Sequence, residues 1–267
     1  MSEVWSAFAV FVVLCASAGL GRYVRPRLPE THRAAETVQT MQVMIGMLVT
    51  FAALVLGLLT ASVENTYDRA ALDRQAYALQ LTDLDQCLRN IGPGGEHSRG
   101  LLKSYTAAVI ASTWPLEPRP VGVDYPDTST IPQVGSSPVL ASLMNRIDLE
   151  LRHMQPADSF QASVRQDCLA IFHDVAGARL LVIESVSRRI SVPFQGILVF
   201  WLMIVFATFG LAAPRNSLSL IGIILCAVSL SSALFVIADL GQPYGGLFAI
   251  SSADMRTALA QMMASGS

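Results

Sequence analysis

Polar and apolar positions follow two distinct patterns along this chain. Four long runs contain no Asp, Glu, Lys, Arg or His: Val4 to Gly21, Val38 to Ser62, Val192 to Ala213 and Leu218 to Ala238. Each has about the 20 residues that a helix needs to cross a hydrocarbon core of roughly 30 Å. Lipid offers no partner to an open backbone amide, so such runs are predicted to be helices. At 1.5 Å per residue the second run reaches about 37 Å, enough to tilt or to project from the membrane.

Residues 63 to 191 follow a different rule, with apolar positions recurring every three or four residues. Leu72, Ala76, Leu79, Leu84, Leu88 and Ile91 mark one stripe. No breaker separates Gly57 from Ile91, so the second span is predicted to continue outward as one helix until Gly92-Pro93-Gly94-Gly95 ends it. A helix from about Glu96 to Thr113 follows, with Leu101, Leu102, Tyr105 and Val109 on one side. Trp114-Pro115 closes it, and a loop rich in Pro and Ser runs to Ser137. Pro138 to Met154 reads as a third helix. Asp158 is a candidate N-cap for a fourth, with Phe160, Val164, Cys168, Ile171, Val175, Ala178, Val182 and Val186 on its stripe. The expected architecture is an all-α integral membrane protein: four transmembrane helices, with a soluble helical bundle between the second and third. The expected division is 1–62, 63–191, 192–238 and a tail over 239–267. In that tail a short amphipathic helix, capped by Ser251 or Ser252, is predicted to lie along the interface or to dock on the bundle.

Composition narrows the class further. Of 267 residues 52% are hydrophobic and 14% charged, with a formal net charge of −2, and the mean hydropathy is +0.49. A basic nucleic-acid binder and a charged disordered chain are excluded. The remaining partners are the lipid bilayer and further copies of the chain. Arg22, Arg25, Arg27 and Arg33 cluster between the first two spans, and Arg215 lies between the last two. Arg69, Arg74, Arg179, Arg188 and Arg189 flank the middle segment. Long segments translocate largely regardless of charge, so the short loops favour termini and bundle outside the cytoplasm.

Candidate chemistry is sparse. Glu150-x-x-His153 has a di-iron spacing but no second copy, so it reads as a solvated polar face. Cys168 with His173 lacks further zinc-ligand spacing. Neither a nucleophile elbow nor a phosphate loop occurs, and no enzyme, metal or cofactor is expected. Cys15 and Cys226 lie within spans. Cys87 and Cys168 lie on the two long bundle helices, where either a bridge or two separately packed thiols fits the sequence. Within the spans small residues recur at four-residue spacing: Ala53, Gly57 and Ala61 on one face of span two, Gly46 and Thr50 on another. Gly222 with Cys226, and Ala227 with Ser231, repeat the pattern in span four. Such faces suit close helix packing or a pore lining.

Several stretches carry a family resemblance. They are Leu28-Pro29-Glu30-x-His32, Gly46 to Ser62, Leu84-Asp85 through Gly92-Pro93, Phe206 to Leu211, and Ala213-Pro214-Arg215-Asn216. The tail adds Asp239-Leu240-x-Gln242-Pro243-Tyr244-x-Gly246-Leu247, Ile250-Ser251-Ser252 and Arg256-x-Ala258-Leu259. Together, from about residue 20 to residue 260, these resemble the bacterial bestrophin-like family of four-span membrane proteins. The resemblance implies analogy with oligomeric anion channels, which also place a helical soluble region between the second and third spans. An oligomeric passive ion channel in the bacterial inner membrane is therefore expected. The competing expectation is a membrane-anchored helical sensor or scaffold whose bundle binds a ligand or protein.

Overall fold

The structure, a computed structural model, describes residues 2–27, 35–187, 192–214 and 216–264. Its elements are α1 (Ser2–Val24), α2 (Ala35–Ile91), α3 (Glu96–Thr113), α4 (Pro138–His153), α5 (Ser159–Ser187), α6 (Val192–Ala212), α7 (Ser217–Leu240) and α8 (Ala253–Ala264), and no strand occurs among the described residues. The protein is an all-helical membrane protein with four helices long and apolar enough to cross a bilayer. At 57 residues α2 is a single unbroken helix, about 85 Å long. It stops where the sequence supplies a stop: Gly92 adopts φ +82°, a left-handed conformation open to glycine, and Pro93 cannot donate back into the helix.

The chain divides into two compact units, Met1–Tyr67 with Arg189–Phe248, and Asp68–Arg188 with Ala249–Ser267. In the first, α1 packs against α6 and α7. Its core is Leu14, Ala18, Ala52, Leu198, Leu202, Phe206, Ala227 and Leu234. The membrane part of α2 joins this group through buried Ala52, through the partly buried Val55, Leu56 and Leu59 and through a ring contact of 5.1 Å between Phe51 and Trp201.

The second unit is a bundle centred on α3, which is buried on nearly every side from Leu101 to Thr113. α4 packs on α3 and on α5. Asp158 caps α5, its Oδ1 accepting the Gln161 amide at 2.7 Å, which satisfies a first-turn donor. α8 lies against α3 with Met255, Ala258, Leu259 and Met262 buried. Ser251 Oγ accepts the Ala253 amide at 3.2 Å. Trp114 Nε1 donates to the Ile250 carbonyl at 2.8 Å, and Arg256 Nε donates to Glu117 Oε2 at 3.0 Å, so the tail is held at its start and along its length.

One stripe needs correction. Leu72 and Leu79 are 63% and 60% exposed, whereas Ala70, Arg74, Tyr77, Ala78, Leu81, Leu84, Asp85, Leu88 and Ile91 are buried. The buried face keeps helical spacing but contains an arginine and an aspartate, which a search for apolar positions passes over. On α5 Phe160 is likewise exposed, at 69%.

Candidate functional site: the membrane helices and the turn after the fourth span

The small residues of α2 are open to the outside of the subunit. Gly46, Thr50, Ala53, Gly57 and Ala61 are all exposed, and a Cβ placed on Gly46 or Gly57 would meet no atom within 4 Å. Thr50 Oγ1 donates to the Gly46 carbonyl at 2.8 Å, and Thr60 Oγ1 to that of Leu56 at 2.8 Å. Each hydroxyl thus turns back onto its own helix, leaving a surface of methyl groups and oxygen lone pairs. On α7 Gly222 is similarly unobstructed, while Ser231 is buried and bonds the Ala227 carbonyl at 2.7 Å.

Close backbone packing occurs elsewhere. A Cβ on Gly21 would strike the backbone oxygen of Ala207, and one on Gly210 the backbone oxygen of Ala18. These two glycines let α1 and α6 approach at a distance no side chain permits. Sequence reasoning missed them because Gly210 has no small residue four positions away and Gly21 has only Ser17; the close contact lies across two helices.

At the end of α7 one carboxylate organises a turn. Asp239 is 2% exposed; its Oδ1 accepts the Leu247 amide at 3.0 Å and its Oδ2 the Phe248 amide at 2.8 Å. Charge-assisted bonds of this kind are the stronger class. Between them Gln242 N donates to the Asp239 carbonyl at 3.0 Å and Gly245 N to the Gln242 carbonyl at 3.0 Å, with Pro243 buried. Gly246 has no room for a side chain, since a Cβ there would lie 2.6 Å from Asp239 Cγ. The signature stretch Asp239–Leu247 is therefore a self-braced turn with its charge turned inward. At the other end of α7 Asn216 is the N-cap, its Oδ1 accepting the Ser219 amide at 2.9 Å, and Pro214 beside it is exposed. Pro29, Glu30 and Arg215 lie outside the described residues.

The bundle contributes one covalent link. Cys87 and Cys168 form a disulfide between α2 and α5, with Sγ atoms 2.07 Å and Cα atoms 5.6 Å apart. Glu150 Oε1 lies 3.8 Å from His97 Nε2 at an exposed position, and His173 Nε2 lies 3.4 Å from Arg152 Nη2. Among the described residues no group of three or more His, Cys, Asp or Glu could hold a metal ion.

Comparison with known proteins agrees with this architecture. A family model of the bestrophin-like domain matches residues 10–255. No curated protein matches the chain. Among solved structures, an aspartate-to-alanine variant of a bacterial bestrophin homologue from Klebsiella pneumoniae is similar at 12% identity and a TM-score of 0.65, over 97% of this chain and 99% of that one. A tryptophan-to-alanine variant of a bestrophin homologue from the same organism gives 12% identity and 0.57, over 99% and 98%. A membrane protein carrying a proline-to-alanine substitution gives 13% and 0.61, over 96% of each chain. The chain belongs to the bestrophin-like family.

Proposed function

We propose that this member of the bestrophin-like family is one subunit of a homo-oligomeric passive channel for small anions in the bacterial inner membrane. The observation that supports this most is the state of α2. It is apolar enough to span the membrane, yet its small residues Gly46, Thr50, Ala53, Gly57 and Ala61 are exposed, and a Cβ on Gly46 or Gly57 would meet no atom within 4 Å. A span with one such open face suits neighbours, and copies arranged around a symmetry axis supply them while leaving a path between them. Gly46, Thr50, Ala53, Gly57 and Ala61 are the proposed lining or packing residues. The four apolar runs contain no Asp, Glu, Lys, Arg or His, which suits a passive pore with a hydrophobic constriction and not a proton-coupled pump.

The bundle is proposed to lie outside the cytoplasm. The bridge between Cys87 and Cys168 supports this side, because stable disulfides belong to oxidising compartments. The arginines in the two short loops support it independently. A second reading, a membrane-anchored sensor, draws on the continuity of α2 from span to bundle, which couples a bundle event to the membrane.

Reconstitution into a planar bilayer tests the main reading. Discrete, anion-selective conductance from an oligomer is expected. A monomeric mass together with a silent bilayer would overturn it in favour of the sensor. For the side, cysteines introduced at Glu96 and at Glu30 in a chain lacking native cysteines should label differently in intact cells, Glu96 from outside. Labelling of Glu30 alone would reverse the orientation.

A further inference from the structure

The end of α1 gathers positive charge at one rim of the membrane unit. Arg22, Arg25 and Arg27 fall within six residues, and neither Asp nor Glu occurs from Val4 to Pro29 or from Val192 to Ala238. Among the described residues no carboxylate lies within 4.0 Å of Arg22 or Arg27. Arg25 Nη1 donates to the Ala213 carbonyl, which ties the short turn Arg25–Arg27 to the end of α6.

The other two arginines keep donors to spare. Arg27 folds back on Tyr23, with its guanidinium carbon 3.8 Å from the ring centroid. Its Nη2 donates to Tyr23 Oη at 2.5 Å and its Nη1 to the Tyr23 carbonyl at 3.3 Å. A guanidinium carries five N–H donors in a fixed fork, so most of this exposed fork is still unused. Arg22 is half-buried, and its Nη1 is closed to water with no hydrogen-bond partner. Such a nitrogen carries a desolvation cost that nothing offsets. By turning to an acceptor outside the protein, that nitrogen gives up no bond and gains one. The surface next to these charges is apolar, with Leu20 61% and Val24 37% exposed. Its complement is a molecule with an anionic, acceptor-rich head and an apolar tail. Phosphate oxygens meet the arginine fork best, and anionic lipids are drawn to basic clusters at span ends.

We propose that this rim is a headgroup site for an anionic phospholipid, with the phosphate against Arg22 and Arg27 and an acyl chain along Leu20 and Val24. Arg25 adds charge while its bond to Ala213 holds the turn in place. The site lies within the membrane unit and stands whichever leaflet it faces and whether or not the protein conducts. Full-length protein in a neutral detergent is titrated with phosphatidylglycerol or phosphatidylcholine, and bound lipid is counted by native mass spectrometry. Phosphatidylglycerol should bind at least about tenfold more tightly, and Arg22→Gln and Arg27→Gln should each weaken it about fivefold, the effect of one arginine near an anionic surface. Arg22→Lys, a point charge that still binds phosphate, should stay within about twofold of the parent. Arg22→Gln should melt with the parent in lipid-free detergent, yet gain less stability when phosphatidylglycerol is added. If it does not fold, Arg27→Gln, at an exposed side chain, decides the matter. Arg69→Gln, at an exposed position of α2 outside its apolar run, should leave lipid binding unchanged. Equal binding of the two lipids, or a loss in Arg69→Gln as large as in Arg22→Gln, would overturn the site. Displacement of phosphatidylglycerol by equimolar inorganic phosphate would overturn the lipid as its ligand.

Discussion

The membrane unit and the bundle unit both fold as packed helices, but they sort their side chains by different means. The interior of the membrane unit is mainly apolar, with Ser17, Ser231 and Asp239 its buried polar residues among those described, and much of its outer surface is apolar too, where Val43, Met47, Leu54 and Leu58 are 60% exposed or more. The bundle places Leu81, Leu84, Leu88 and Ile147 at 5% exposure or less, and also buries Arg74, Arg99 and Asp85. Water drives apolar groups inward in the bundle. Lipid tails are as apolar as leucine, so in the membrane unit shape alone selects the packed faces. The bundle then fixes its packing with specific polar pairs, and the membrane unit with backbone contacts at glycine.

The sharpest break in that contrast comes from the polar core. Asp85 Oδ1 accepts from Arg99 Nε at 3.0 Å with both side chains at 2% exposure or less, and Asp85 Oδ2 accepts from Arg89 at 3.1 Å. Arg99 Nη1 reaches outward to Glu96 Oε1 at 2.8 Å. Removing one partner of a buried pair strands the other, at a cost of about 3–5 kcal/mol. Asp85→Ala should therefore lower the unfolding free energy of the bundle by about that amount in detergent. Followed through Trp114, a loss below about 1 kcal/mol would show that the pair is effectively solvated.

The membrane unit is tested by two glycines in spans, Gly57 within a small-residue pattern and Gly210 outside one. Gly210→Leu drives a side chain into the Ala18 backbone, and overpacking costs about 1–3 kcal/mol. Gly57→Leu enters open space, so an isolated subunit should melt as the parent does, while oligomer mass or conductance changes. Subunit stability falling equally in both variants would show that the α2 face packs within its own chain.

These two tests also mark where the sequence was legible. The four spans, the unbroken α2 and the stop at Gly92 follow from charge-free length and from breaker residues, signals that are local. The α3 and α5 stripes were readable because water sorts their faces, apart from Phe160. What escaped was non-local. Arg74 and Asp85 sit on the buried face of α2, so a count of apolar positions chose Leu72 and Leu79 instead. Gly21 and Gly210 matter only because α1 and α6 meet, which no single-helix spacing encodes. The role of Asp239 depends on amides eight and nine residues onward, and a lone aspartate at a span end gives no sign of them.

The smallest expected effect is a pH dependence confined to the bundle. Tyr105 is 1% exposed, and burial raises its phenol above the ordinary 10.0, against the opposing pull of Arg179, the Tyr77 hydrogen bond and Arg74. In the unfolded chain this phenol loses its proton at its ordinary value, while in the folded bundle it still holds it. Above that value the native state therefore binds more protons than the unfolded state, and stability falls as pH rises. Below it both states are protonated and the group adds no slope. Melting temperatures measured between about pH 8 and pH 11 bracket the transition. The parent should lose stability more steeply than Tyr105→Phe over the alkaline half of that range. Tyr105→Phe itself should be less stable at neutral pH by about 0.5–1.5 kcal/mol, the hydrogen bond to Tyr77 being lost. Since the two effects have different pH dependence, the curves should converge as pH rises. Parallel curves would mean that Tyr105 ionises as readily in the bundle as in the unfolded chain, and the contrast between a polar, water-sorted core and an apolar, shape-sorted one would lose its titratable signature.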